Sequence, residues 1–168
     1  MVPPPEPPPG FVCRRDLQPG DLGSIIRLHG IVYAREHGFD PTFEACVAGR
    51  LADFARPHTD RDRLWVVERE GGIVGCIAIV GTSATEAQLR CFLVDPSARG
   101  IGLGTQLLHE AVAFARGCGY ESIFLWTVSA LTTAARLYRA AGFEKVEEKP
   151  GRRWGVEVVE EKYALFLR

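Results

Sequence analysis

The sequence predicts an α/β (α+β) domain built on a mixed β-sheet of about six to seven strands with about four flanking helices. Three observations carry that prediction. Two segments of helical period come first, residues 63–94 then read as three antiparallel strands, and strand and helix patterns alternate from there onward. A chain of 168 residues has the length of one compact domain.

The opening residues 1–10 are nearly all proline and are expected to form an extended, poorly ordered lead-in to a domain over 11–168. They lack the basic start and apolar centre of a signal peptide. A PxxP ligand for a partner is the less favoured reading. Phe11 to Leu17 reads as a first strand, broken by Gln18-Pro19-Gly20. Asp21 can cap a helix whose apolar stripe, Leu22, Ile25, Ile26, His29, Val32 and Tyr33, runs to about Gly38. Asp40 before Pro41 is an N-cap and first-turn pair, and Phe43, Cys46, Val47, Leu51 and Phe54 continue a second helix to Pro57. Leu64–Glu68 and Ile73–Val80 flank Gly71-Gly72, which accepts positive φ and predicts a hairpin. Ala87 to Val94 returns as the third strand and ends at Asp95-Pro96. A helix from about Gly102 to Arg116 leads to a strand at Ser122–Val128, so these two strands should run parallel through a right-handed crossover. A helix over Ala130–Ala141, a strand after Gly142 and a last strand Val156–Phe166 complete the chain.

Composition narrows the function classes. The net charge of −1 gives little drive toward phosphate backbones, so no nucleic-acid partner is expected. No run is long enough to span a bilayer, and no membrane partner is expected. Five scattered cysteines without a CxxC pair argue against a disulfide framework and fit a reducing cytoplasm. His29 and His58 have no partner at metal-ligand spacing, so no metal is expected.

The chemistry begins at the turn Arg99-Gly100-Ile101-Gly102-Leu103-Gly104-Thr105, which lies between a strand and an amphipathic helix. Glycines let backbone approach a ligand, and the unpaired N–H groups of a helix start favour an anion such as a pyrophosphate. A P-loop would need Gly-Lys-Ser/Thr, but Thr105-Gln106 follow Gly104. A dinucleotide fingerprint would need GxGxxG near the first strand of a βαβ unit, whereas this is GxGxG after an antiparallel meander. A glycine-rich helix entry with no ligand remains the bland alternative.

Val94-Asp95-Pro96 followed by this turn resembles the signature of the GNAT superfamily of N-acyltransferases, Gln/Arg-x-x-Gly-x-Gly/Ala after a strand ending Val-x-Pro. Ala134-Ala135-Arg136-Leu137-Tyr138-Arg139-Ala140-Ala141-Gly142-Phe143 is similar to a second family segment on the later helix. The resemblance implies a sheet that splays open. It also implies backbone N–H groups from Arg99 to Thr105 holding the pyrophosphate of acetyl-CoA, and a pantetheine arm pairing with Phe92, Leu93 and Val94. Many members carry Asn where this chain has Leu131, so Ser129, Thr132 or Thr133 would have to meet that contact.

Acyl transfer from a thioester needs a neutral amine, a stabilised oxyanion and a protonated leaving thiolate. The family pattern gives Tyr138 the last role, as general acid or hydrogen-bond donor, against the reading of a core aromatic. A tyrosine near pKa 10 facing a thiol near about 8.5 fits a hydrogen bond better than full proton transfer. Glu86 is the candidate base, with Glu36 and His37 as alternatives, each competing with a plain surface role. Cys91 reads as filler rather than nucleophile, and Arg152, Arg153 and Trp154 either line the acceptor mouth or form a solvated hairpin tip. The expected partner is a small-molecule or peptide amine, with a homodimer as one option. A non-catalytic acyl-CoA-binding module is the rival reading.

Overall fold

The computed structural model describes residues 6–56 and 59–167. The expectations placed on residues 1–5, on Pro57 and on His58 therefore lie outside the described residues.

The elements follow in the order β1 (Phe11–Arg14), α1 (Asp21–His37), α2 (Pro41–Ala55), β2 (Arg63–Arg69), β3 (Gly72–Gly81), β4 (Glu86–Val94), α3 (Leu103–Gly117), β5 (Ser122–Val128), α4 (Thr132–Ala140), β6 (Glu144–Arg153) and β7 (Val156–Phe166). The strands form one seven-stranded sheet in the order β1-β2-β3-β4-β5-β7-β6. All neighbours are antiparallel except β4 and β5, which run parallel as the crossover through α3 requires. Among the described residues no helix is long and apolar enough to cross a membrane.

The sheet is covered on both faces. Trp65, Ile77, Leu107, Ile123 and Tyr163 belong to the core under α3 and α4, while Ile25, Leu51, Val66 and Ala78 belong to the core under α1 and α2. Strand alternation sends neighbours such as Trp65 and Val66 to opposite cores, which is why β2 and β3 read as continuous apolar runs.

Three local expectations are corrected. Asp21 does not cap α1: Gly20, at φ 92, holds that position, and the Asp21 carboxylate instead accepts from Arg14 Nη2 at 2.9 Å and from the Gln18 N–H at 2.7 Å. Arg14 also reaches Glu68 at 2.8 Å, so one guanidinium ties β1 to α1 and β2, and the strand stops there rather than at Leu17. The β2–β3 turn is centred on Glu70-Gly71, at φ 54 and 78, because Gly72 already pairs with Arg69. Asp40 does cap α2, accepting from Thr42 N–H at 2.9 Å.

Candidate active site

The seam between β4 and β5 opens partway along. Its pairs are Glu86 with Ser122, Ala87 with Ile123 and Gln88 with Phe124, after which β4 stays with β3 and β5 stays with β7. The divergence coincides with a bulge: the β3–β4 register shifts between Cys76 and Ala78, and Cys91 sits at φ 54. A bulge bends its strand and strengthens its twist. The Cys76 thiol donates to the Cys91 carbonyl at 3.0 Å and pins that conformation. Burial pushes the Cys91 thiol up to about 11, so it is protonated and no nucleophile at neutral pH.

The opened edge borders a cavity of about 600 Å³. Asp95 N–H bonds to Val74 O on β3, so strand alternation turns the polar groups of Val94 toward the cavity side. Arg99 Nε takes the Val94 carbonyl at 2.9 Å, which leaves the Val94 N–H for that edge.

The glycine turn closes one end of the cavity. Gly100 and Gly102 lie at φ 82 and 84, and a Cβ at either would meet nothing within 4 Å, so both are there for their backbone angles. Gly104 is different. A Cβ there would come within 3.3 Å of Leu137 Cδ1 and 3.6 Å of Phe92 Cζ, so it sets how closely α3 approaches α4. The first intrahelical bond of α3 is Gln106 N–H to Gly102 O, and no side chain caps Gly102. The N–H groups of Leu103, Gly104 and Thr105, all lining the cavity, therefore have no acceptor within their helix. The Arg99 guanidinium does not join them. It grips Glu36 with two 2.8 Å bonds, holding that carboxyl below its ordinary range.

Opposite the turn, Tyr138 is buried against Phe92, Phe143 and Tyr163, with ring centroids about 6 Å away. Its hydroxyl makes no hydrogen bond to the described residues. Burial, reinforced by Tyr33 and Tyr163, raises its pKa above that of an ordinary phenol. A proton held that firmly is offered as a hydrogen bond rather than surrendered.

The third wall is aromatic. Tyr33 lies 4.5 Å from Phe43, and Trp154 lies 5.0 Å from Phe39 and 5.1 Å from Phe43, measured between ring centroids. His29 stacks on Tyr33 and is buried at 3% exposure, which lowers its pKa to about 4. Its Nδ1 faces the Ile25 carbonyl at 2.9 Å, and a carbonyl only accepts, so the neutral ring carries its proton there and keeps Nε2 as an acceptor.

The fold gathers Phe92, Leu93, Val94, Arg99, Gly100, Gly102 to Thr105 and Tyr138 around this cavity. Ile101 is half exposed beside it. Glu86 is not brought in. It starts β4 at the closed end of the seam, beside Thr82, with the length of the strand between it and the opening. Glu36, His37 and Trp154 line the cavity, whereas Arg152 and Arg153 are paired with Glu157 and Glu160. Leu131, Thr132 and Thr133 line it at the start of α4, and Ser129 does not. The sequence reading missed Arg50 and Arg90 in the lining and the buried Thr127 hydroxyl, which has no partner. Arg50 could have been found as the polar member of the stripe Phe43, Cys46, Val47, Arg50, spaced to share one face of α2. Among the described residues no group of three or more metal-ligating side chains is present.

Residues 28–143 match the model of the Acetyltransferase (GNAT) family. An uncharacterized N-acetyltransferase of Schizosaccharomyces pombe is 31% identical over 118 residues, covering 68% of this chain and 72% of that one. An amino-acid acetyltransferase of Pseudomonas aeruginosa is 37% identical over 91 residues, 52% of this chain but only 20% of that protein, so this chain spans about a fifth of its length. The structure of a GNAT family acetyltransferase from Elizabethkingia anophelis with acetyl-CoA bound superposes with a TM-score of 0.64 at 16% identity, covering 95% of this chain and 99% of that one. With its turn, its opened seam and the family match over most of its length in agreement, the chain belongs to the GNAT family of acetyltransferases.

Proposed function

We propose that this chain transfers the acetyl group of acetyl-CoA to a primary amine of a small molecule or peptide, with direct attack while both are bound. The observation that carries this reading is the pairing of an uncapped α3 N-terminus with an unpaired β4 edge on one cavity. Acetyl-CoA fits it as a donor whose thioester supplies the carbonyl under attack and the thiolate that leaves. The N–H groups of Leu103, Gly104 and Thr105 would hold its pyrophosphate, and the Val94 N–H would pair with its amide arm. Tyr138 would donate its hydroxyl hydrogen bond to the departing sulfur. Five free cysteines and a soluble-type composition support a cytoplasmic setting.

Glu36 is held by Arg99, Glu160 by Arg153, and His29 at about 4 can accept a hydrogen bond but takes a proton poorly. His37, packed against Tyr33 and Phe39 in the same lining, is the remaining candidate base. Amine deprotonation would then fall to His37 or to water. An α-amine near pKa 7.8 costs about 1.1 kcal/mol to present neutral at pH 7, against about 4.6 kcal/mol for a lysine-type amine near 10.4, and the first suits this site.

The locking of Glu36 by Arg99 also favours a second reading, an acyl-CoA-binding module without turnover. Thiol release from acetyl-CoA in the presence of amino acids, polyamines, aminoglycosides and peptide N-termini separates the two. Release with any of these supports transfer. Acetyl-CoA binding with no release across the panel supports the binding module, and no binding at all removes both.

A further inference from the structure

The charged groups lining the cavity do not balance. Glu36 is neutralised by Arg99 at 2.8 Å, and Glu160 by Arg153 at 2.6 Å. Arg50 and Arg90 remain, half-buried, and neither is within ion-pair reach of a carboxylate among the described residues. Arg50 projects from the α2 face that also carries Phe43 and Cys46 into the cavity, and Arg90 reaches it from β4 just before the bulge. Gln88 Oε1 accepts from Arg90 Nε at 2.7 Å, which fixes the guanidinium and leaves its terminal nitrogens without an acceptor among the described residues. The carboxylates whose charge reaches Arg90 are Asp53 and Asp62. The first pairs with Arg56, and the second accepts from the Gly81 and Thr59 N–H groups. Burial, and then the neighbouring Arg50, both disfavour the charged form of Arg90.

Two like charges held beside a cavity repel each other and favour an anion between them. The donor's phosphates do not answer that need. Arg90 precedes Val94 by four residues, about 13 Å along the strand, so it lies far from the glycine turn. The fork of a guanidinium matches a carboxylate.

We propose that Arg50 and Arg90 form the carboxylate-binding end of the acceptor site, so that the amine acetylated here is a small amino acid-like molecule with a free carboxylate. The aromatic wall of Phe43, Phe39 and Trp154 would then border its side chain. This rests on the acetyl-transfer reading for the word acetylated, but the carboxylate site itself does not.

The test uses the full chain loaded with CoA, so that no turnover occurs, and titrates it by calorimetry with the common amino acids, their carboxamides and the matching decarboxylated amines. The expected result is that at least one amino acid binds at least 10-fold more tightly than its amide and its decarboxylated amine. Arg50→Gln and Arg90→Gln should each erase that preference while leaving CoA affinity within 2-fold of the parent. Binding of no amino acid, equal binding of acid and amide, or an unchanged preference in both variants overturns the proposal. Thiol release is read separately. If an amino acid binds but acetyl-CoA yields no thiol with it, the transfer reading fails and the carboxylate site stands.

Discussion

The two sides of the cavity are built from different materials. The side we assign to the donor is main chain: an uncapped helix start, two glycines at positive φ and a strand edge left open by a bulge. The side we assign to the acceptor is side chains drawn from α1, α2, β4 and the tip of the β6–β7 hairpin. Backbone geometry tolerates change in side-chain identity, whereas a wall of rings and guanidinium groups alters with each substitution.

Changing single residues on each side tests that contrast, and the largest effect belongs to His29. Its pKa is about 4 when folded against a reference of 6.5, so the unfolded chain binds the extra proton between those values. Stability from this group is complete above about pH 6.5 and is lost as pH falls toward 4, by up to about 3 kcal/mol. Urea unfolding at pH 7 and pH 5 should show the fall, and His29→Gln should flatten it. Equal slopes in parent and variant would mean that the acceptor wall is not sealed from water.

Tyr138→Phe removes the hydroxyl proposed to meet the leaving sulfur and should lower kcat about 100-fold, or about 2.7 kcal/mol, with the KM for acetyl-CoA little changed. An unaltered kcat would return Tyr138 to the role of core aromatic. Gly102→Val strains only the donor-side backbone, because its Cβ meets no neighbour. Forcing a β-branched residue to φ 84 should cost about 2 kcal/mol of stability and raise the acetyl-CoA KM, leaving acceptor preference intact. A shifted acceptor preference would show that the two sides are coupled. The smallest effect is expected from Arg99→Ala: the Glu36 pair is partly exposed and worth under about 1 kcal/mol, so a modest rise in acetyl-CoA KM, from the freed Val94 carbonyl, is the expected readout.

The same contrast decides what could be read from the sequence. Gly100, Gly102 and Gly104 announce the donor side because special φ values and close helix approach demand glycine wherever they occur. Element order was equally legible, since β2 and β3 are continuous apolar runs separated by a glycine turn and α3 carries a helical apolar stripe. Glu86 was misplaced because a strand pattern does not tell which of its ends opens. Arg50 was legible as the polar member of the α2 stripe, whereas Arg90 was passed over because an isolated arginine on a strand signals nothing until the fold shows which carboxylates it lacks. Trp154 was visible only as an ambiguous hairpin residue, and its partners Phe39 and Phe43 lie more than a hundred positions earlier.

Trp154 sits at φ 54, an uncommon angle for a bulky residue, and its carbonyl accepts the Asp40 N–H at 2.9 Å. The consequence is one of timing. During synthesis the glycine turn, β4 and both early helices leave the ribosome well before the hairpin that latches onto the α1–α2 corner. A nascent chain cut short after α4 would own most of its donor side and an unfinished mouth for the acceptor. The aromatic wall is therefore closed only when the last hairpin has formed.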